Sequence, residues 1–260
     1  MGEAAPQGWK RAKDRLPLRI AFDLDGVLAD MDAELIRHAE ALFGEPVPHT
    51  LEERGADVEE PPPAGESKPA AEAEDVPAST RLQITARQTR RLWQHVRSID
   101  GFWESLKEIE PGSVARLATL ATDHRWEVIF LTKRPDTVGA TAQVQSQRWL
   151  EAKGFTLPSV YVVQGSRGLI ASSLRLDIVV DDRPENCLDV VVDSKARAML
   201  VWRGDEKHLP GAARRLGIGV VKTVAECLDI LTQIDAAESD RPGIIARVFK
   251  LLGLNETARV

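Results

Sequence analysis

Ile20-Ala21-Phe22-Asp23-Leu24-Asp25-Gly26-Val27-Leu28-Ala29-Asp30 runs from an apolar stretch into two carboxylates one residue apart and then a glycine. The segment from Leu16 to Phe22 is too short for a helix and largely apolar, which predicts a buried strand of a parallel sheet. Asp23 then falls at the carboxyl end of that strand, the edge at which open α/β sheets bind ligands. Carboxylates at i and i+2 suit a division of labour: Asp23 can attack an electrophile such as phosphorus, while Asp25 protonates a leaving oxygen and later deprotonates a water. Two acids repel an anionic substrate unless a cation sits between them, and a hard divalent ion such as Mg²⁺ takes oxygen ligands. Gly26 allows a sharp turn that aims its N–H at a phosphate oxygen. Taken alone, the stretch is equally an Asp-Gly turn at a strand end.

The rest of the chain decides between these readings. Helical spacing of Leu35, Ile36, Ala39, Leu42 and Phe43 predicts a helix over Met31–Phe43, closed by Gly44. Residues 45–80 lose periodicity, contain Pro61-Pro62-Pro63, and between 51 and 76 set nine acids against Arg54 and Lys68. That composition predicts a disordered acidic loop. It also holds the acidic balance of the chain, whose formal net charge is −6, so the remainder is close to neutral. The run Arg81–Ile99 carries Leu82, Ile84, Leu92, Trp93 and Val96 among five arginines and no acid, a basic amphipathic helix, and Phe102-Trp103 follow the Asp100-Gly101 break.

From Pro111 helices and strands alternate: helix to Thr122, strand Glu127–Leu131, helix Thr137–Lys153, strand Val160–Val163, helix Ser166–Leu174, strand Ile178–Val180, helix Arg183–Ser194 and strand Ala198–Trp202, after which Gly219–Val221 leads into a helix over Val224–Ile234. The fold expected is an α/β doubly wound, Rossmann-like parallel sheet formed by residues 1–30 and 106–235, with a small helical cap inserted after the first strand at 31–105. Residues 236–260 form an amphipathic tail whose segment Ile244–Leu252 docks on its own core, on a second subunit to give a homo-oligomer, or weakly on a membrane surface, the first being preferred. Cys187 and Cys227 lie in apolar helical patterns with neither disulfide nor metal spacing, and Met1–Arg15 has no signal-type apolar run. A cytoplasmic protein without a membrane span is expected, and nothing suggests a nucleic acid polymer as partner.

Three later strand ends complement the first. Thr132-Lys133-Arg134-Pro135 offers a hydroxyl and two cations, Arg167 stands at the start of a helix after the next strand, and Asp181-Asp182 closes an all-apolar strand. Paired aspartates there are costly without a cation. This order of Asp-x-Asp-Gly, Thr, cation and Asp-Asp resembles the haloacid dehalogenase-like (HAD) superfamily. Within it the chain looks most like the 5′(3′)-deoxyribonucleotidase-type phosphatases, through Asp23 to Asp30, through Phe102-Trp103-Glu104-Ser105-Leu106 leading to Pro111-Gly112, and through Val180-Asp181-Asp182.

The resemblance implies a HAD core and a Mg²⁺-dependent phosphomonoester hydrolase acting on a small phosphorylated substrate through an aspartyl phosphate. Asp23 is then the nucleophile and Asp25 the general acid and base; Gly26, Thr132, Lys133 and Arg167 bind the phosphoryl group. The metal falls to Asp23, Asp25 (through its main-chain carbonyl), Asp181 and Asp182, with Asp182 favoured for direct contact. The family's third motif is usually Lys, and Arg167 keeps the charge without the compact head. Its nucleotidase-type members tend to have a small residue where Lys133 stands. The arginines of 81–99 with Trp93, Phe102 and Trp103 suit a nucleoside monophosphate, sugar phosphates coming second, unless those rings serve packing. The competing class is a catalytically silent HAD-fold module that binds a ligand or protein.

Overall fold

In the computed structural model the described residues are 17–44, 46–47 and 82–240, with side chains to 236. The rest of the acidic stretch and the tail segment Ile244–Leu252 lie outside them. Six strands, β1 (Arg19–Asp23), β2 (Glu127–Thr132), β3 (Ser159–Val162), β4 (Ile178–Asp181), β5 (Arg197–Val201) and β6 (Gly219–Val221), form one parallel sheet in the order β3-β2-β1-β4-β5-β6. Helices α1 (Met31–Phe43) and α2 (Ala86–Arg97) and a 3₁₀ turn at Phe102–Glu104 are inserted after β1. They are followed by α3 (Ser113–His124), α4 (Ala142–Ala152), α5 (Arg167–Leu174), α6 (Pro184–Asp193), a short α7 (Gly211–Arg215) and α8 (Val224–Asp240) between and after the strands. The doubly wound parallel sheet expected from the sequence is therefore present. Its order reverses beside β1, so the crevice between the carboxyl ends of β1 and β4 is the switch point at which such sheets receive ligands.

Strand periodicity sorts the core into two layers. Ile20, Phe22, Val128, Phe130, Ile178, Val180, Met199 and Val201 face one side and pack with α3, α4 and α8; Ala21, Ile129, Leu131, Val179, Ala198 and Leu200 face the other, with α5, α6 and α7. The apolar sides of α1 and α2, with Phe102 and Trp103, belong to the first layer. Cys227 and Cys187 are buried in opposite layers as free thiols, raised by burial, and cannot meet.

Several boundaries differ from expectation for local reasons. The Arg81–Ile99 helix begins only at Ala86, because Thr85 and Gln88 form a reciprocal capping box. The Thr137–Lys153 helix begins at Ala142, where the Thr141 hydroxyl accepts from the Val144 N–H. α8 runs to Asp240, past the expected end at Ile234. No helix among the described residues is long and apolar enough to cross a membrane.

Candidate active site

β1 delivers Asp23 as its last residue, and the chain then turns back on itself: Leu28 and Ala29 both donate to the Leu24 carbonyl at 2.9 and 2.8 Å. Gly26 sits in this turn with φ of 87°. Its N–H donates to the Ala29 carbonyl at 3.1 Å, so the expectation of an amide aimed at phosphate is not what the backbone presents. Gly26 instead leaves room: a Cβ there would collide with the Asp182 carboxylate. Asp30 ends the turn by accepting from the Ala33 N–H and capping α1.

A cavity of about 60 Å³ opens where these segments meet, and Asp23, Asp25, Gly26, Lys133, Arg167 and Asp182 all line it. Of the residues singled out from the sequence, Thr132 and Asp181 do not. Thr132 is buried and its hydroxyl donates to Asp25 Oδ2 at 3.1 Å. Asp181 is held from behind: it accepts from Asn186 Nδ2 at 3.0 and 2.9 Å and from the Arg183 N–H at 2.9 Å, with Arg167 Nε at 3.6 Å. Neighbouring strand-end residues point to opposite sides, which is why Asp182 reaches the cavity and Asp181 does not.

Arg167 opens α5 and is only 2% exposed. Its Nη2 donates to Asp23 Oδ1 at 2.5 Å, while its Nε and Nη1 are both buried with no hydrogen-bond partner among the described residues. A guanidinium N–H left without an acceptor costs free energy. Burial pushes the Asp23 carboxyl well above its ordinary value; Asp181 adds to this, Arg167 opposes it, and Asp182 and Asp25 raise it further. Asp181 is raised as well, by burial, against the pull of Arg167, the Arg183 N–H and Asn186.

Sequence reasoning passes over Arg134 in favour of its neighbour Lys133. Arg134 is 2% exposed and lays its fork on Asp25, Nη2 to Oδ1 at 2.7 Å and Nε to Oδ2 at 2.9 Å. Its Nη1 donates to Ser146 Oγ at 2.8 Å, and its guanidinium carbon lies 4.9 Å from the centroid of the Trp103 ring. Nothing in Thr132-Lys133-Arg134 distinguishes the two cations beforehand.

A second unforeseen brace comes from Arg203. It donates to the Gly26 carbonyl at 2.6 Å and the Val27 carbonyl at 3.3 Å, and pairs with Glu110 at 2.8 Å. Glu110 in turn accepts the Val224 and Ala225 N–H groups that begin α8. Burial alone would raise the Glu110 carboxyl, but those two N–H groups and Arg203 outweigh it and hold it below its ordinary value.

Of the three rings weighed between stacking on a substrate and filling the core, Trp103 borders the cavity, together with Arg134, while Trp93 and Phe102 do not line it. Trp93, Phe102 and Trp103 are buried, the last two edge to face at 4.8 Å. Arg87, Arg90 and Arg91 of α2 line a separate groove with Leu42 and Phe43, at the end of α1 away from Met31, which borders the active-site cavity.

No protein-family model matches the chain, and no curated protein matches it. Among solved structures, a hydrolase from Pseudomonas syringae is 19% identical, with 84% of this chain and 98% of that one covered, at a TM-score of 0.47. A putative β-phosphoglucomutase from Thermotoga maritima is also 19% identical, covering 84% and 99% at 0.48. A haloacid dehalogenase-like family hydrolase from Streptococcus pneumoniae is 14% identical, covering 83% and 98% at 0.47. Likeness of this degree concerns the course of the chain, and no residue role follows from it.

Proposed function

We propose that the chain is a phosphomonoester hydrolase of the HAD type, with residues 31–105 as its cap. The observation that carries the reading is the convergence on one switch-point cavity of Asp23, Asp25 and a buried arginine with an unpartnered N–H. Arg167 takes a phosphoryl oxygen through Nη1 and steadies Asp23 through Nη2. An Asp23 oxygen attacks phosphorus as the bond to the leaving oxygen breaks, and that oxygen takes a proton from Asp25. Asp25, now a carboxylate, removes a proton from water; the water oxygen bonds to phosphorus, the bond to Asp23 breaks, and inorganic phosphate leaves. Lys133, at the cavity wall, adds positive charge for the substrate.

The donor set fits Mg²⁺. Asp23 and Asp182 are hard oxygen ligands lining the same cavity, and while burial is the main reason the Asp23 carboxyl is raised, the neighbouring carboxylates that add to it are charge a cation relieves. Among the described residues no three His, Cys, Asp or Glu side chains gather into a cage. The ion would instead be held by two carboxylates, the Asp25 main-chain carbonyl and oxygens from water and substrate. When bound, the ion screens Asp23 and Asp182 from the anionic substrate and polarises the phosphoryl group. Asp181 acts as a support for Arg167.

For substrate, the packing argues toward small monoesters such as sugar phosphates over nucleoside monophosphates. Trp103 borders the cavity with the Arg134 guanidinium against its ring, and the α2 arginines line a separate groove. Purified protein should hydrolyse p-nitrophenyl phosphate with Mg²⁺ and lose activity in EDTA. A panel of sugar phosphates and nucleoside monophosphates then assigns the class. Tight binding of such ligands with no turnover of any would favour the silent module.

A further inference from the structure

The Arg134 guanidinium is fixed on three sides. It grips Asp25 through Nε and Nη2, Ser146 accepts from its Nη1 and itself donates to the Ala142 carbonyl at 2.7 Å, and the Trp103 ring lies against its plane. Ser146 and Trp103 are buried, and the Trp103 ring is tied in turn by its Nε1–H to the Pro135 carbonyl at 3.0 Å. Asp25 therefore accepts from Arg134 at both oxygens and from Thr132 at one, so its carboxyl plane cannot rotate without breaking a bond. Only a planar fork holds a carboxylate this way; a lysine ammonium would leave it free to turn about its own bond.

We propose that Arg134 is the positioning residue for proton transfer, orienting Asp25 toward the leaving-group oxygen while taking no part in binding the phosphoryl group. This rests on the hydrolase reading and assigns within it a role that neither Lys133 nor Arg167 fills. Loss of orientation matters in proportion to how much the leaving group needs a proton. p-Nitrophenolate departs as a stable anion, whereas the alkoxide of an alkyl phosphate must be protonated as it leaves.

Arg134→Lys and Arg134→Ala are compared with the wild type on p-nitrophenyl phosphate and on an alkyl phosphate such as glycerol phosphate, with thermal melts beside them. Because Asp25 also serves as base in the second step shared by both esters, the comparison is made on kcat/KM, which reports the steps through departure of the leaving group: proton transfer of this kind is worth about 10²–10⁴-fold, so kcat/KM on the alkyl ester should fall about 10²-fold and on the aryl ester only roughly threefold, with inhibition by inorganic phosphate little changed. Added guanidinium at millimolar concentration should restore part of the alkyl-ester rate to Arg134→Ala, and Lys at 134 should not substitute for Arg. Equal losses of kcat/KM on the two esters, or weaker inhibition by inorganic phosphate, would overturn the proposal by making Arg134 structural or phosphate-binding. If neither Arg134 variant folds, Ser146→Ala carries the same comparison and should shift the ester ratio in the same direction. A wild type inactive on both esters overturns the hydrolase reading itself, and the role of Arg134 with it.

Discussion

Asp23→Asn removes the attacking oxygen without changing side-chain volume, and activity should fall below detection. Its effect on stability should be small or favourable. A buried acid whose folded pKa is raised prefers its neutral form, so above that pKa the ionised carboxylate weakens the fold, and the neutral amide escapes this cost. Metal-free melts at neutral pH should place the variant's Tm at or above the wild-type value; a large drop would mean that the Asp23–Arg167 pair stabilises more than its burial costs. Gly26→Ala should do the reverse. A side chain there meets the Asp182 carboxylate at a φ of 87°, so a loss of more than about 1 kcal/mol is expected by chemical denaturation, with activity lost alongside. Asp23, Asp25 and Asp182 are legible in the sequence because a carboxylate ending an apolar strand is costly to bury unless its charge is used. Arg134 is not, since its weight comes from Ser146 and Trp103, which only folding brings beside it.

The elements are readable wherever an apolar period runs uninterrupted, as in β1, β2, β4 and α1. Starts set by a single side-chain cap, Thr85 for α2 and Thr141 for α4, fall several residues from expectation because capping competes with periodicity. The brace joins Arg203 to Glu110, 93 residues away, and to the Gly26–Val27 turn, 177 and 176 residues away, and leaves no local signal. It makes a pH prediction. Glu110 has a folded pKa below its ordinary value, so its contribution is present above the unfolded pKa, about 4.3, and is lost as pH falls through the lower folded value. Melts between neutral pH and pH 3 should show Glu110→Gln with a lower Tm at neutrality and a gap from wild type that closes on acidification. The carboxylate is partly solvated, so the gap should be modest. A gap constant across the range would remove Glu110 from the acid response.

The whole molecule puts its candidate site at the switch point of a six-stranded sheet and carries its acidic stretch within the insertion after β1. Deleting residues 52–76 removes nine acids and almost no large apolar side chains, so Tm and kcat should both hold, while the salt dependence of KM for an anionic ester changes. A fall in Tm on deletion would show that the stretch contributes to the core. Fold class is legible from the alternation after Pro111, whereas substrate class is not: Trp93, Phe102 and Trp103 read the same in the sequence, yet only folding puts Trp103 at the cavity edge while Trp93 and Phe102 do not line it. The step on which the proposed chemistry turns is the transfer of the phosphoryl group to Asp23. Protein quenched during turnover of p-nitrophenyl phosphate and treated with borohydride should yield, by peptide mass spectrometry, homoserine in place of aspartate at position 23, and only when substrate was present. Steady turnover with position 23 unmodified, or with the reduction at another carboxylate, would contradict it.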